Sequence, residues 1–239
     1  MKTIKNTFGW PILKCFMMAL LVLTFSCSDD DIEPEPEQIV EEETEEETPD
    51  PVTYTVSEIG TGAAFNGANG LDIGPDGNLY VASVIGLNIT VMDTENGVIS
   101  ERLEQDMQIK GPDDLVFGPD GSLYWTDILV GEVGRMAPDG SITKQFVAPG
   151  VNPIAFSDDG RLFVALCFLG DGLYELDPEL IEPPRPIITS TEANPFPLGF
   201  LNAFDFGPDG RIYGPLFAAG LVISVDVDRE GDPDSDPLA

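Results

Sequence analysis

Four polar side chains at one position of a repeated segment are the residues of this sequence that could do chemistry together. They are Asn69, Asp113, Asn152 and Asn202. Amide and carboxylate oxygens are the ligands that calcium prefers, and calcium takes roughly six to eight of them, with water filling the gaps. If the fold brings the four together, they could hold Ca²⁺ or another divalent cation. Asp113, or its neighbour Asp114, is then the best candidate for a general base.

A second interpretation of the same four residues is purely structural. Asn and Asp side chains at strand starts commonly hydrogen-bond to nearby backbone and tolerate left-handed backbone angles. Repeats copied from one ancestor would share such a residue without any ligand, so their agreement is not independent support for a binding site. The residue types alone leave both interpretations open.

The segments that carry these residues align without gaps and end in a tight-turn sequence. They are 69–77, 113–121, 152–160 and 202–210, and their turn aspartates are Asp76, Asp120, Asp159 and Asp209. Those aspartates lie 44, 39 and 50 positions apart. A repeat of about 40–50 residues is the length of one four-stranded blade of a β-propeller.

The chemistry of each repeat also favours strands. In the sequence Gly-Pro-Asp-Gly, proline presets φ, aspartate bonds its own backbone and glycine adopts a positive φ, so the four residues make a tight hairpin turn. An apolar run follows each turn, and further turns at 95–97 and 138–140 would join a third strand to a fourth. No segment keeps the helical period of about 3.6 residues. The sequence therefore predicts an all-β fold, a β-propeller.

The repeat also carries a family resemblance. The stretch Asn-Gly-Leu-Asp-Ile-Gly-Pro-Asp-Gly-Asn-Leu-Tyr-Val at 69–81 resembles the senescence-marker-protein-30, gluconolactonase and strictosidine-synthase-like propellers, and more loosely NHL repeats. Leu-Tyr-Trp-Thr-Asp at 123–127 is similar to a YWTD blade. The resemblance covers about 54–228 and implies a propeller of the six-bladed type. With about four recognisable blades we expect a shortened member. The alternatives are a compact ring closed by the Tyr54 region, a truncated reading frame, or an arc completed by another copy.

The resemblance implies roles for the four polar residues. In a propeller they would point to the mouth of the central channel, and in the lactonase-like family this column holds metal ligands: a glutamate, two asparagines and an aspartate. Asn69 stands at the glutamate, Asp113 and Asn152 at the asparagines, and Asn202 at the aspartate. One carboxylate then remains instead of two. We therefore expect a binding module for a protein, glycan or small molecule at the channel mouth; the alternative is a cation-dependent lactonase or ester hydrolase.

The N-terminus predicts export and lipidation. Three lysines precede an apolar run at 16–25, which is the layout of a secretory signal, so residues 1–26 are predicted to be a lipoprotein signal peptide. Leu-Thr-Phe-Ser-Cys at 23–27 resembles a lipobox, and Cys27 is the predicted lipidation site. The alternatives are an ordinary signal peptide with a chance cysteine, or an uncleaved anchor. A serine and an acidic run follow Cys27 and resemble a surface-export signal. We expect a lipid anchor in the outer membrane at the cell surface, or alternatively facing the periplasm.

Composition indicates the character of the remaining segments and excludes several classes of function. Residues 27–52 and 229–239 are acidic and predicted to be a disordered tether and tail, around propeller blades at 53–228. The chain has 11 Lys and Arg against 43 Asp and Glu, a net charge of −32, so nucleic acid is not an expected partner. It has no histidine, which excludes histidine-dependent triads and zinc sites. Cys167 lies between Leu166 and Phe168, which predicts a buried thiol.

Overall fold

The structure is a computed structural model that describes residues 55–227. The predictions for 1–26, 27–52 and 229–239, including lipidation of Cys27, lie outside the described residues. Within 55–227 no helix is long and apolar enough to cross a membrane.

The described part of the chain contains fifteen strands in four antiparallel sheets, and each sheet is built from strands that are consecutive in the chain. Sheet 1 contains β1 (Ala68–Ile73), β2 (Leu79–Ser83), β3 (Asn88–Met92) and β4 (Ile99–Leu103). Sheet 2 contains β5 (Pro112–Phe117), β6 (Leu123–Asp127), β7 (Glu132–Met136) and β8 (Ile142–Phe146). Sheet 3 contains β9 (Val151–Phe156), β10 (Leu162–Leu166), β11 (Gly172–Leu176) and β12 (Arg185–Thr189). Sheet 4 contains β13 (Asp205–Phe206), β14 (Ile212–Leu216) and β15 (Leu221–Val225).

The repeated turn joins the first strand of each sheet to the second. In sheet 1 the Asp76 carboxylate accepts the backbone N–H of Asn78 at 3.1 Å, and Gly77 has a φ of 81°. A positive φ of this size is available to glycine without a steric penalty. The same turn closes the first hairpin of the other three sheets, with glycine φ values between 78° and 83°. The predicted all-β class with four blades is therefore confirmed.

Neighbouring sheets pack face to face, and three hydrophobic clusters lie between them. In sheets 1, 2 and 3, an aromatic residue of the second strand contacts one of the next sheet's first strand. Tyr80 packs edge-on against Phe117, with ring centroids 4.8 Å apart, and Tyr124 packs against Phe156 at 5.1 Å. Phe163 repeats the contact with Phe206 at 5.2 Å. Edge-to-face pairs of this kind add to the stabilisation that burial provides.

The outer faces of sheets 1 and 4 are not covered by another described sheet. Tyr213 occupies the position of the buried Tyr124, yet its side chain is 42% exposed. Tyr213 is exposed because no described sheet follows sheet 4 and packs on it. On sheet 1, Leu71 and Ile73 are 64% and 51% exposed for the same reason.

Candidate functional site

The first strands of the sheets all begin at one face of the assembly, which we call the mouth face. Each second strand runs back antiparallel to the first, so the loop between the second and third strands also lies at the mouth face. The hairpin turns and the turns between third and fourth strands lie at the opposite face. The topology therefore gathers the four polar positions of the repeat at one end of the sheets.

The four polar residues form two hydrogen-bonded pairs. The Asn69 side-chain amide donates from Nδ2 to Asp113 Oδ2 at 2.8 Å. The Asn152 amide donates from Nδ2 to Asn202 Oδ1 at 3.0 Å. Asp113 and Asn152 are buried, at 6% and 2% exposure. Each pair bridges two neighbouring sheets, so the residues stabilise the arrangement of the sheets as well as lining the mouth.

Asp114 has both carboxylate oxygens occupied by backbone. Its Oδ1 accepts the N–H of Leu115 at 2.9 Å, and its Oδ2 accepts the N–H of Ile154, in the next sheet, at 3.1 Å. Asp72 makes a comparable bridge one sheet earlier, where its Oδ2 accepts the N–H of Phe117 at 3.0 Å. These contacts join first strands across sheet boundaries. They give Asp114 a structural function, and its use as a general base stays a prediction.

Burial changes the acidity of both candidate bases. Desolvation raises the pKa of Asp113, and the hydrogen bond from Asn69 opposes that rise. Desolvation raises the pKa of Asp114 to about 6, against the opposing effect of its two backbone donors. The charges of Asp113 and Asp72 raise the Asp114 pKa further. The mouth therefore holds carboxyl groups that take up a proton more readily than an exposed aspartate does.

Replacing Asp114 with asparagine should change how stability depends on pH. The folded-state pKa of Asp114 is about 6 against an ordinary 3.8, so the folded state binds the proton more tightly than the unfolded chain. This residue's contribution to stability therefore grows as pH falls through 6 and is complete below about 4. Between pH 7 and pH 4 the wild type should gain on the order of 2 kcal/mol more than Asp114→Asn. Urea unfolding of both proteins at several pH values measures this, and parallel curves would contradict it.

Divalent-cation binding by Asn69, Asp113, Asn152 and Asn202, which we call the polar column, stays a prediction, and two of these side chains are engaged otherwise. Such an ion needs oxygen ligands, whereas Asn69 and Asn152 turn their N–H groups toward the oxygens of their neighbours. Between residues 55 and 227 no group of three or more His, Cys, Asp or Glu side chains could hold a metal ion. No catalytic step through a cation is derived from this geometry.

Cys167 is buried at the end of β10. Desolvation raises the pKa of its thiol to about 12, and the nearby charges of Asp113 and Asp171 act in the same direction. At neutral pH the group is therefore a thiol and a poor nucleophile.

The mouth-face loops between second and third strands expose large apolar side chains. These loops are 84–87, 128–131, 167–171 and 217–220. They contain two ionisable side chains, the buried Cys167 thiol and the carboxylate of Asp171, which is 3% exposed. Their large exposed apolar residues, which we call the apolar loop residues, are Ile85, Leu87, Leu129, Val130, Phe168, Leu169 and Phe217. Exposed apolar side chains gathered at one end of a domain are typical of an interaction site.

The loops are held in place by hydrogen bonds to the backbone that leads into each first strand. Val84 N–H donates to the Gly67 carbonyl at 3.1 Å, and Phe217 N–H donates to the Phe200 carbonyl at 2.9 Å. The buried carboxylate of Asp171 accepts the N–H groups of Leu198, Gly199 and Phe200. Asp171 is thus a positioning residue for the segment beneath the loops.

Phenylalanine rings join the loops of sheets 3 and 4. Phe168 lies 5.1 Å from Phe217 and 5.9 Å from Phe200, measured between ring centroids, and Phe196 lies 5.4 Å from Phe200. Phe168, Phe196 and Phe217 are 49%, 58% and 64% exposed. The rings therefore form one connected aromatic surface at the mouth face.

The opposite face is acidic. Its turns contain Asp76, Asp93, Glu95, Asp120, Asp139, Asp159 and Asp209. The residue pattern predicted a site at the polar column and not at the mouth-face loops. A signal was present, since Val-Ile-Gly-Leu, Ile-Leu-Val-Gly, Cys-Phe-Leu-Gly and Phe-Ala-Ala-Gly stand between strands without one charge in a chain that is 23% charged.

No family model and no curated protein sequence matches this chain, but solved structures do. The virginiamycin B lyase of Staphylococcus aureus gives a TM-score of 0.55 at 18% identity, over 66% of this chain and 52% of that one. The hydrazine synthase of Kuenenia stuttgartiensis gives 0.55 at 20%, over 68% and 47%. A gluconolactonase of Xanthomonas campestris gives 0.51 at 20%, over 67% and 59%. The described residues form a β-propeller.

At identities of 18–20% these likenesses show the propeller fold alone. The chain also spans about half the length of the first structures that it matches. The sheets of this propeller are its blades, and four of them are described.

Proposed function

We propose that this propeller is a binding module that captures a protein partner at its mouth face, through the apolar loop residues. The observation that carries the proposal is that all four mouth-face loops expose large apolar or aromatic side chains with no exposed charge. Aromatic and aliphatic anchors of this kind dominate the energetics of protein interfaces. A partner with apolar side chains would bury them.

The geometry supports such a partner in two further ways. The loop backbones are hydrogen-bonded to the blades, so little conformational entropy is lost when a partner docks. Asn69, exposed at the mouth, and the half-buried Asn202 offer amide groups that can pair with polar groups of the partner. A divalent cation and lactone hydrolysis have no part in the proposal, because the amides of Asn69 and Asn152 are hydrogen-bonded to their neighbours in the polar column.

A phage-displayed random peptide library, selected against the immobilised full chain, tests this proposal. We expect enrichment of peptides with at least two large apolar side chains. The variant Phe168→Ser/Phe217→Ser should weaken their binding by roughly tenfold or more. The matched control is Val98→Ser/Ile181→Ser, which removes side chains that are 61% and 73% exposed at the opposite face. Enriched peptides that bind both variants and the wild type equally, or no enrichment at all, would overturn the proposal.

We also propose that the chain is held at the outer membrane by lipid on Cys27, with 27–52 as an acidic tether that presents the propeller at the cell surface. Support comes from the lipobox-like sequence and from the acidic composition. Lipid chains bind membranes by burying methylene groups, at about 0.8 kcal/mol each. In a Cys27→Ala variant the chain should leave the membrane fraction. Retention of that variant in the membrane would refute lipid anchoring at this residue.

A further inference from the structure

The two ends of the propeller expose residues that the other blades bury, although residues 59–65 already lie over part of the outer face of sheet 1, where Met92 is 2% exposed. On the outer face of sheet 4, Val222 is 76% exposed, whereas Ile89 and Val133, at the same position of the third strand in sheets 1 and 2, are fully buried. On the outer face of sheet 1, Leu71 is 64% exposed, whereas its equivalent in sheet 2, Leu115, is 4% exposed. Sheet 4 therefore presents one half of a contact that the chain makes elsewhere, and the open β1 side of sheet 1 presents part of the other half.

The aromatic contact between neighbouring blades is also left incomplete at both end faces. Three times, the aromatic residue of a second strand packs against the fifth residue of the next repeat: Tyr80 with Phe117, Tyr124 with Phe156, and Phe163 with Phe206. Tyr213 is the fourth aromatic of this series, and no ring among residues 55–227 packs against it. Ile73 is the first member of the other series, and it is 51% exposed.

Each end face carries a charged residue, Arg102 on sheet 1 and Asp205 on sheet 4, and the position of Asp205 is compatible with contact. Asp205, on β13, occupies the position of Asp72, whose carboxylate already lies at the first blade interface and accepts the Phe117 N–H at 3.0 Å. An aspartate at this position therefore does not prevent two blades from packing together.

We propose that a second copy of this chain docks the outer face of its sheet 1 against the outer face of sheet 4, head to tail. Both halves of the contact belong to the same chain, so a second copy carries the matching surface by construction. Residues 228–239 match it poorly in composition, since they contain one leucine among acidic residues and prolines. Burial of Leu71, Ile73, Tyr213 and Val222 against one another would repeat the existing blade interfaces.

A head-to-tail contact joins different surfaces of the two copies, so it forms a ring if the rotation closes and a longer assembly if it does not. The second copy's Asn69 would then stand next to Asn202, which extends the polar column across the junction. The inference is independent of the proposed function, because it uses the end faces and not the mouth-face loops.

Sedimentation of the Cys27→Ala chain over a range of concentrations, in about 0.15 M salt to screen its negative charge, tests the inference. We expect reversible association. Val222→Glu and Leu71→Glu, made separately in that background, should each weaken self-association by tenfold or more. Because both side chains are exposed, neither substitution should unfold the chain.

Mixing the two variants is the decisive measurement. Val222→Glu keeps an intact sheet 1 face and Leu71→Glu keeps an intact sheet 4 face, so an equimolar mixture should form a one-to-one dimer. Val98→Glu, at the opposite face of the blades, should associate as strongly as its parent. A monomeric parent chain, variants that associate like it, or a mixture that stays monomeric would each overturn the inference. None of these outcomes alters the peptide-binding test.

Discussion

An Asp127→Ala variant should lose about 3–5 kcal/mol of its free energy of unfolding. Asp127 ends β6 and is 1% exposed. Its carboxylate accepts hydrogen bonds from the Lys110 backbone N–H at 2.9 Å, the Trp125 indole at 3.2 Å and the Lys144 ammonium at 2.5 Å. Alanine would leave these donors without their acceptor in a site that water reaches poorly. A donor left unsatisfied by loss of its partner is costly.

Two further variants isolate the role of charge. Asp127→Asn keeps the shape and one acceptor oxygen but no longer balances Lys144, so we expect a smaller loss than for alanine. Asp139→Ala, in an exposed turn where the carboxylate accepts only local bonds from Ser141, should cost no more than about 1 kcal/mol. Urea unfolding followed by tryptophan fluorescence gives all three values. Equal losses for Asp127→Ala and Asp139→Ala would show that the buried hydrogen bonds of Asp127 stabilise the fold no more than an exposed turn does.

Gly134→Ala should lower the free energy of unfolding by about 3 kcal/mol. Gly134 is the cross-strand partner of Trp125 in the ladder between β6 and β7. A Cβ atom on Gly134 would lie 2.2 Å from Cζ2 of the indole ring. That ring is 1% exposed and packed inside the cluster between blades 1 and 2. The indole ring cannot move away from this Cβ atom without separating blades 1 and 2.

A double-mutant cycle tests that explanation. In a Trp125→Leu background the ring is absent, and Gly134→Ala should then cost less than about 1 kcal/mol. Trp125→Leu alone supplies the reference for the loss of the ring. If Gly134→Ala costs the same in both backgrounds, the loss comes from the glycine's backbone and the contact with Trp125 is not its cause.

The hairpins could be predicted from the sequence because their signals are local. Proline, aspartate and glycine at fixed positions determine a turn without reference to distant residues, as at Asp76 and Gly77. Blade number and strand order follow from repeating that signal. Whether Tyr213 is buried or exposed could not be predicted in this way, because its exposure depends on whether another blade packs against sheet 4. Equivalent positions in a repeat share a conformation but not an environment.

The polar column shows the same limit of sequence-based prediction at the candidate site. Its four positions were found from the alignment, but the pairing of Asn69 with Asp113 depends on the spacing of adjacent blades at the atomic scale. The apolar mouth-face loops were missed because apolar residues suggest core. Cys167 is buried as expected, whereas the next residue, Phe168, is 49% exposed with a φ of 63°. A left-handed residue there turns the side chain outward, and nothing in the local sequence signals it.

The division of the core into three separate clusters has a consequence for how the chain comes apart. Each cluster belongs to one pair of neighbouring blades, so cooperativity passes only from neighbour to neighbour, as in other repeat architectures. Opening blade 4 breaks one cluster and leaves the other two intact. Fluctuations should therefore begin at the outermost blades and weaken toward the middle, and amide protons of blades 2 and 3 should be the slowest to exchange with solvent.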